Sequence, residues 1–432
     1  MGKSIFMTNQ GKLDYKDVNG AIVVTKEKVK FIVVFIYATL VLLSSFVFNN
    51  SHEIISGMNK ILQAPSILVT DYMAIGNIGS ALFNSGLLML ISVFIVWKNK
   101  VEMNGPIMAS IFTIGGFALF GKNLYNIWSI ILGVYLYSII QKESFSKYIV
   151  VAFFGTALGP MISQITFGLG FSLVQGMIIG NVVGIITGFI LPPLASHFSQ
   201  FHKGFNLYNL GFTAGVVGTV FMAIFRSFDL QSQGVLIVLE GYNLILGIYL
   251  ATLFTSMIIL GFIFNNKSFK GYKNILQSSG RAVADYVKIG GFGSTLINMG
   301  LLGLLTSAYI IMVKGELNGP TIGGVFTVVG FGAFGKHIKN ILPILLGVYI
   351  ATLLQIWDAN STGALLAALF GTTLAPIAGE YGWKNGMVAG FVHMAMVMNV
   401  GYLHGGMNLY NNGFSGGLVA ATLVPIIDAF RK

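Results

Sequence analysis

The stretch NGPIMASIFTIGGFALFGK at residues 104–122 returns as NGPTIGGVFTVVGFGAFGK at residues 318–336, and this repetition decides how the chain is read. The match extends without a gap from Asp71–Tyr135 to Asp285–Tyr349, a constant offset of 214 positions with roughly half of them identical. Asp71 recurs as Asp285, Gly76 as Gly290, Ser80 as Ser294 and Asn84 as Asn298. Beyond it, Phe154-Gly155-Thr156 recurs as Phe370-Gly371-Thr372. His202-x-Gly204-x-Asn206-Leu207-Tyr208-Asn209 recurs as His404-x-Gly406-x-Asn408-Leu409-Tyr410-Asn411. The chain is therefore two homologous halves, a first repeat over 31–226 and a second over 235–432. They are joined by a loop at 227–234 and preceded by a polar, Lys-bearing segment at 1–30.

Composition sets the solvent. Of 432 residues, 55% are hydrophobic and only 9% charged, against about 25% charged in a typical soluble domain. Runs such as Phe31–Phe48, Phe171–Leu191 and Leu246–Phe264 reach the ~20 apolar residues that a bilayer-spanning helix needs. The chain reads as an all-α polytopic membrane protein and excludes an ordinary soluble enzyme. A net charge of +11 reflects basic loops between spans rather than a nucleic-acid surface. Cysteine is absent, so disulfides and thiolate chemistry are excluded.

Seven spans are predicted per half: about 31–48, 73–97, 106–120, 124–141, 148–166, 172–193 and 205–225, then 236–264, 287–313, 320–334, 338–356, 363–379, 386–402 and 408–428. An odd number per half turns the second half upside down in the membrane. Charge placement supports this. With the N-terminus inside, all 25 Lys and Arg fall on the cytoplasmic side except Lys60, Lys122, Arg226 and Lys314. The expectation is two inverted-topology repeats of about seven transmembrane helices, in the cytoplasmic membrane, with both termini inside.

The third span of each half is short. Pro106–Phe120 and Pro320–Phe334 each hold 15 residues, roughly 22 Å of helix against ~30 Å of hydrocarbon. Each opens at Asn-Gly-Pro, with proline in the first turn and asparagine as cap. A half-helix N-terminus inside a membrane offers free N–H groups to a polar or anionic solute. Asn104, Gly105, Pro106, Asn318, Gly319 and Pro320 are thus candidate substrate contacts, although the same tripeptide also turns a loop at an interface. Ser80 with Asn84, and Ser294 with Asn298, share helix faces and suit either solute contact or helix packing. Asn206, Tyr208 and Asn209, with Asn408, Tyr410 and Asn411, form polar clusters beside glycines. They suit a binding site or an interfacial belt.

Charged candidates complete the set. Asp71 and Asp285 are repeated carboxylates at span starts, where an aspartate caps a helix or couples transport to H⁺ or Na⁺. Glu240, without a counterpart in the first half, is a third coupling candidate. Lys122 and Lys336, which follow the short helices, are candidate gate or anion contacts, with snorkelling to the headgroups as the plain alternative. His202 and His404 are further gate candidates that titrate near neutral pH. No metal cluster, Gly-x-Ser-x-Gly elbow or P-loop is present, so neither an enzyme, a resident cofactor nor a self-contained ATP-driven pump is expected.

These features resemble known architectures. Two seven-span halves of inverted topology, each with a short third span after an extended stretch, are similar to the nucleobase, sulfate and bicarbonate transporters. That resemblance implies helix ends aimed at a midplane substrate site, and dimers. It covers architecture only, because the nucleobase-family signature and binding carboxylates are missing. Gly204-Phe205-Asn206 through Val216, and Phe117–Gly133, look similar to helices of urea transporters, but the Leu-Pro-x-x-Thr-x-Pro motif is not found. The chain also looks like an uncharacterised bacterial family of multi-pass membrane proteins. The functional expectation is a secondary, ion-coupled transporter of a small polar or anionic solute. A passive urea-like channel is the alternative, and an intramembrane enzyme a more distant one.

Overall fold

The computed structural model describes residues 22–66, 69–230, 236–354 and 356–431. Most of the 1–30 segment and part of the 227–234 loop lie outside the described residues. Among those described, the chain is helical, and the one β-type contact is a parallel bridge between Thr70 and Ile237. The first half holds α1 (Glu27–Phe48), α2 (Ser51–Gln63), α3 (Tyr72–Ile75), α4 (Ile78–Lys98), α5 (Gly105–Phe117) and α6 (Trp128–Ile140). It continues with α7 (Ile149–Gly155), α8 (Gly159–Phe167), α9 (Leu173–Phe201) and α10 (Asn209–Ser227). The second half holds α11 (Asn243–Phe264), α12 (Lys270–Gln277), α13 (Tyr286–Gly290), α14 (Phe292–Met312), α15 (Gly319–Phe331) and α16 (Ile338–Leu354). Then come α17 (Thr362–Gly371), α18 (Ala375–Tyr381), α19 (Trp383–Val400) and α20 (Asn411–Phe430).

Ten helical stretches among these residues are long and apolar enough to cross a bilayer, and α5, α6, α15 and α16 are shorter apolar helices. Outer faces are apolar too: Phe35, Leu43 and Val47 of α1, Val174 and Ile178 of α9, and Leu244 and Ile248 of α11 are exposed. Such contiguous apolar surface suits acyl chains rather than water.

Packing repeats between halves. Helix α1 lies on α4 as α11 lies on α14, and α6 on α9 as α16 on α19. The halves meet chiefly where α5 packs on α15 and α10 on α20. Helices α5 and α15 run antiparallel. A Cβ placed on Gly105 would meet Ala333 O at 2.3 Å, one on Gly116 would meet Gly323 O at 2.5 Å, and one on Gly319 would meet Leu119 O at 2.5 Å. Only glycine permits this backbone-on-backbone approach.

Local structure departs from the sequence reading at several points, and the spans read as 73–97 and 287–313 are each broken, into α3 with α4 and α13 with α14. The segments after α1 and α11, read as loops, contain the short helices α2 and α12, and Asn50 and Glu53 close a capping box on α2. Helix α9 continues through Pro192 and Pro193 to Phe201 rather than stopping near 193. Adjacent prolines remove few main-chain bonds, and neighbouring helices in a membrane hold the rest of the helix in place. The fifth and twelfth spans are not uniform: each tightens into a 3₁₀ turn, at Thr156–Leu158 and Thr372–Leu374.

Candidate functional site

The Asn-Gly-Pro helix starts are closed. Asn104 Oδ1 accepts from Ile107 N at 3.1 Å, and Asn318 Oδ1 from Thr321 N at 3.1 Å. Gly319 N donates to Asp71 Oδ1 at 3.1 Å, and Gly105 N donates to Asp285 Oδ1 at 3.0 Å. Each aspartate therefore caps its own short helix, through Met73 N or Val287 N, and also the short helix of the other half. Asp71 Oδ2 additionally accepts from Leu239 N at 2.9 Å. The resemblance to the nucleobase-type transporters implied helix ends aimed at a common midplane site. Here the two N-termini sit at opposite ends of an antiparallel pair, already satisfied by carboxylates. Pro106, at the first of these helix starts, borders a cavity.

Other candidates take structural places. Asn84 Nδ2 donates to Ala118 O at 2.7 Å and Lys122 O at 2.8 Å, and Asn298 Nδ2 donates to Gly332 O and Lys336 O, both at 2.7 Å. These bonds fix the turn that follows each short helix. Ser80 is packed beside Gly57 and Gly76, and Ser294 beside Gly271, away from the cavity. Glu240 is exposed ahead of α11 and reaches nothing in the interior.

The chemistry concentrates between the α5–α15 pair and the segments that lead into α10 and α20. Six rings gather there: Phe117 and Phe331 from the short helices, Phe154 and Phe370 from α7 and α17, and Tyr208 and Tyr410. Tyr208 lies 4.6 Å from Phe331 and 4.9 Å from Tyr410, and Phe117 lies 4.6 Å from Tyr410, between ring centroids. Tyr208 and Tyr410 are held here because their segments dock on the 3₁₀ turns. Leu207 N donates to Thr373 O at 3.1 Å, and Leu409 N donates to Ala157 O at 3.2 Å. Asn206 and Asn408 brace the same segments, donating to Gly413 O and Gly211 O of the opposite half.

Lys122 and Lys336 flank this centre and are fully buried, so neither snorkels. Lys336 Nζ donates to Tyr208 Oη at 2.5 Å and to Thr372 Oγ1 at 2.7 Å, and sits 4.4 Å from the Tyr208 ring centroid. Lys122 Nζ donates to Phe153 O at 3.3 Å and lies 5.1 Å from the Phe117 centroid. Among the described residues no carboxylate pairs with either. Removing an ammonium from water costs several kcal/mol unless a counter-charge or strong acceptors replace it (roughly, by Born arguments). Neutral hydroxyls, a carbonyl and ring faces supply only part of that.

A cavity of about 480 Å³ reaches this centre from one side. Of its lining, Phe154, Tyr208, Phe331, Tyr410 and His202 are buried and form its floor, and Lys203 and Arg281 are exposed at its mouth. Arg281 is held by a bond from Nε to Lys203 O at 2.8 Å and by the Phe205 ring at 4.4 Å. His202 Nε2 is 3.0 Å from Asn209 Oδ1, while Asn209 Nδ2 donates to Ala195 O, so Nε2 carries the proton. Burial holds this imidazole below the usual histidine range, opposed by the Asn209 bond. The positive charge at the mouth thus comes from Lys203 and Arg281.

On the opposite side the equivalent residues are covered. Pro106 and Asn209 are half-buried, whereas Pro320 and Asn411 are buried. A 3₁₀ turn at Gly401–His404 packs on α10. Arg226 Nη2 donates to Tyr402 O at 2.6 Å, with its guanidinium 4.0 Å from the Tyr402 ring. His404 Nε2 contacts Asn411 Oδ1 at 2.7 Å beneath this cover.

The sequence reading did not single out Phe117, Phe331, Phe154, Phe370, Thr372 or Arg281. The Phe-Gly-Thr repeat was visible, but nothing local told its rings from ordinary core.

Fold and centre together define a multi-pass helical membrane protein with a buried lysine–aromatic centre. The chain belongs to DUF1576, a family described as protein of unknown function, which it matches over residues 50–227 and 264–429, one stretch in each half. No curated protein matches the chain, and no solved structure does.

Proposed function

We propose that this protein is a secondary transporter for a small anionic solute, working by alternating access in the cytoplasmic membrane with both termini inside. The observation that carries the reading is the asymmetry of a two-fold centre. Equivalent residues from the two halves surround one set of rings, yet among the described residues Pro106 and Asn209 line a cavity while their counterparts Pro320 and Asn411 are buried. Exchanging the environments of the two halves would close that side and open the other, which is how inverted repeats generate two access states. The antiparallel packing of the sequence-equivalent helices α5 and α15 supports the inverted orientation. The positive-inside count favours a cytoplasmic position for the cavity mouth, with Lys203 and Arg281.

The moving boundary would run through the ring cluster. One unit carries α5, α15 and the two lysines, and the other carries α7, α17 and the segments leading into α10 and α20. Solute would bind between them, and an H⁺ or Na⁺ gradient would bias the exchange. A static urea-like pore suits this geometry less well, since packed rings and the Gly401–His404 turn cover one side.

The test is uptake into proteoliposomes across a panel of small anions and neutral solutes, with and without imposed H⁺ and Na⁺ gradients. Gradient-dependent accumulation above equilibrium is the expected result. Rapid equilibration of a neutral solute, indifferent to both gradients, would sink the transporter reading in favour of a channel.

A further inference from the structure

We infer that the solute is an organic carboxylate with an apolar body, whose carboxylate takes the place of the Tyr208 hydroxyl as acceptor for Lys336 while its body lies against the rings of the cavity floor. This rests on the transport reading of the same centre and deepens it.

Three features of the cavity narrow the chemistry. The first is charge. Lys336 has two neutral oxygen partners and no carboxylate, and the mouth adds Lys203 and Arg281. A cation would meet like charge at Lys203 and Arg281, and a neutral solute would offer Lys336 nothing beyond the neutral oxygens it already has. A carboxylate supplies the missing counter-charge in a dry place, where a charge-assisted bond is strongest.

The second is size. Ligand cavities of about 300–1,000 Å³ hold organic molecules rather than single ions, and this one is about 480 Å³. The third is the wall. Leu207, Phe331, Phe334 and Phe154 line the cavity beside Tyr208, the hydroxyl partner of the buried Lys336. An inorganic oxyanion would lose hydration against these groups without replacement. An apolar body would instead gain from covering them. Lys336 meets the cavity through its hydroxyl partner Tyr208, which lines it, whereas Lys122 bonds Phe153 O instead, so one carboxylate suffices.

The experiment uses the full chain, purified in detergent, with benzoate and hexanoate as probes. Benzamide, hexanamide, benzylamine and sulfate serve as comparison ligands. Binding is read by equilibrium dialysis of radiolabelled benzoate, on wild type and on protein locked at its covered side by a reducible cross-link between Arg226→Cys and Tyr402→Cys. The carboxylates should bind both forms, and the amides, the amine and sulfate should bind about tenfold or more weakly. Lys336→Met should weaken benzoate by about tenfold to a hundredfold, and Lys336→Arg by less. Should Lys336→Met fail to fold, Arg281→Gln at the exposed mouth gives a second reading: weaker benzoate binding with a shallower salt dependence.

Equal binding of amide and carboxylate, preference for sulfate, or no carboxylate binding at all would overturn the inference. Gradient-driven accumulation of a neutral or inorganic solute would overturn it too, and leave the transport reading standing. Carboxylate binding without any driven accumulation would uphold the inference and remove transport.

Discussion

Replacing Asp71 and Asp285 in turn by asparagine separates a capping role from a coupling role, because the two sites differ in one acceptor. Asp71 uses both oxygens: Oδ1 accepts from Met73 N and Gly319 N, and Oδ2 accepts from Leu239 N at 2.9 Å. An asparagine can keep its oxygen toward the first two donors, but its NH₂ then faces the Leu239 N–H. One half-buried donor loses its acceptor, which costs about 1–2 kcal/mol. Asp285 uses Oδ1 for both Gly105 N and Val287 N, and its Oδ2 faces only Lys288 Nζ at 3.9 Å, a side chain that is 55% exposed. Losing so exposed a pair costs less than about 1 kcal/mol.

Loss of charge beside the short-helix N-termini is common to both variants and cancels in the comparison. Asp71→Asn should therefore lower the midpoint of heat-induced loss of monodisperse protein by a few degrees more than Asp285→Asn does. Uptake per folded molecule should stay near wild type in both. Equal destabilisation would refute the acceptor argument. A fully stable Asp71→Asn protein that exchanges solute but no longer accumulates it would make Asp71 a coupling carboxylate instead.

Two further outcomes follow from the packing. Gly116→Ala places a Cβ 2.5 Å from Gly323 O and 3.1 Å from Phe326 Cβ, so the α5–α15 pair must part, at about 1–3 kcal/mol. Gly247→Ala on α11, with nothing nearer than 3.7 Å, should be neutral or slightly stabilising, and the same heat-stability assay reads both. The clasp of Arg226 on Tyr402 should be a moving contact. In this cysteine-free chain, bridging Arg226→Cys to Tyr402→Cys with a reducible bis-thiol reagent should stop uptake, and reduction should restore it. Unchanged flux in the bridged protein would exclude alternating access at that contact.

The apolar helices and the duplication in sequence were legible in the chain because each rests on local chemistry. Apolar run length marks a span, and Asn-Gly-Pro marks the start of a short helix. An offset of 214 positions exposes the repeat without any knowledge of contacts. The two amphipathic helices α2 and α12 were missed because they are shorter and more polar than a span. The course of α9 through Pro192 and Pro193 was missed because a proline pair reads as a stop when its neighbours are unknown.

Candidate residues were legible as types but not as roles. Asp71 is a span-start carboxylate in the sequence, and only folding brings Gly319 N to it across 248 positions of chain. Lys122 and Lys336 have the spacing of snorkelling lysines, and only tertiary packing buries them against rings from three separate segments. The open side could not be read at all. The halves carry nearly the same motifs, so their sequences are close to symmetric, while the partial exposure of Pro106 and Asn209 and the burial of Pro320 and Asn411 are not. A repeated sequence specifies two equivalent sets of contacts. Which side opens depends on how the helices from the two halves pack together, and that is a property of the assembled tertiary structure alone.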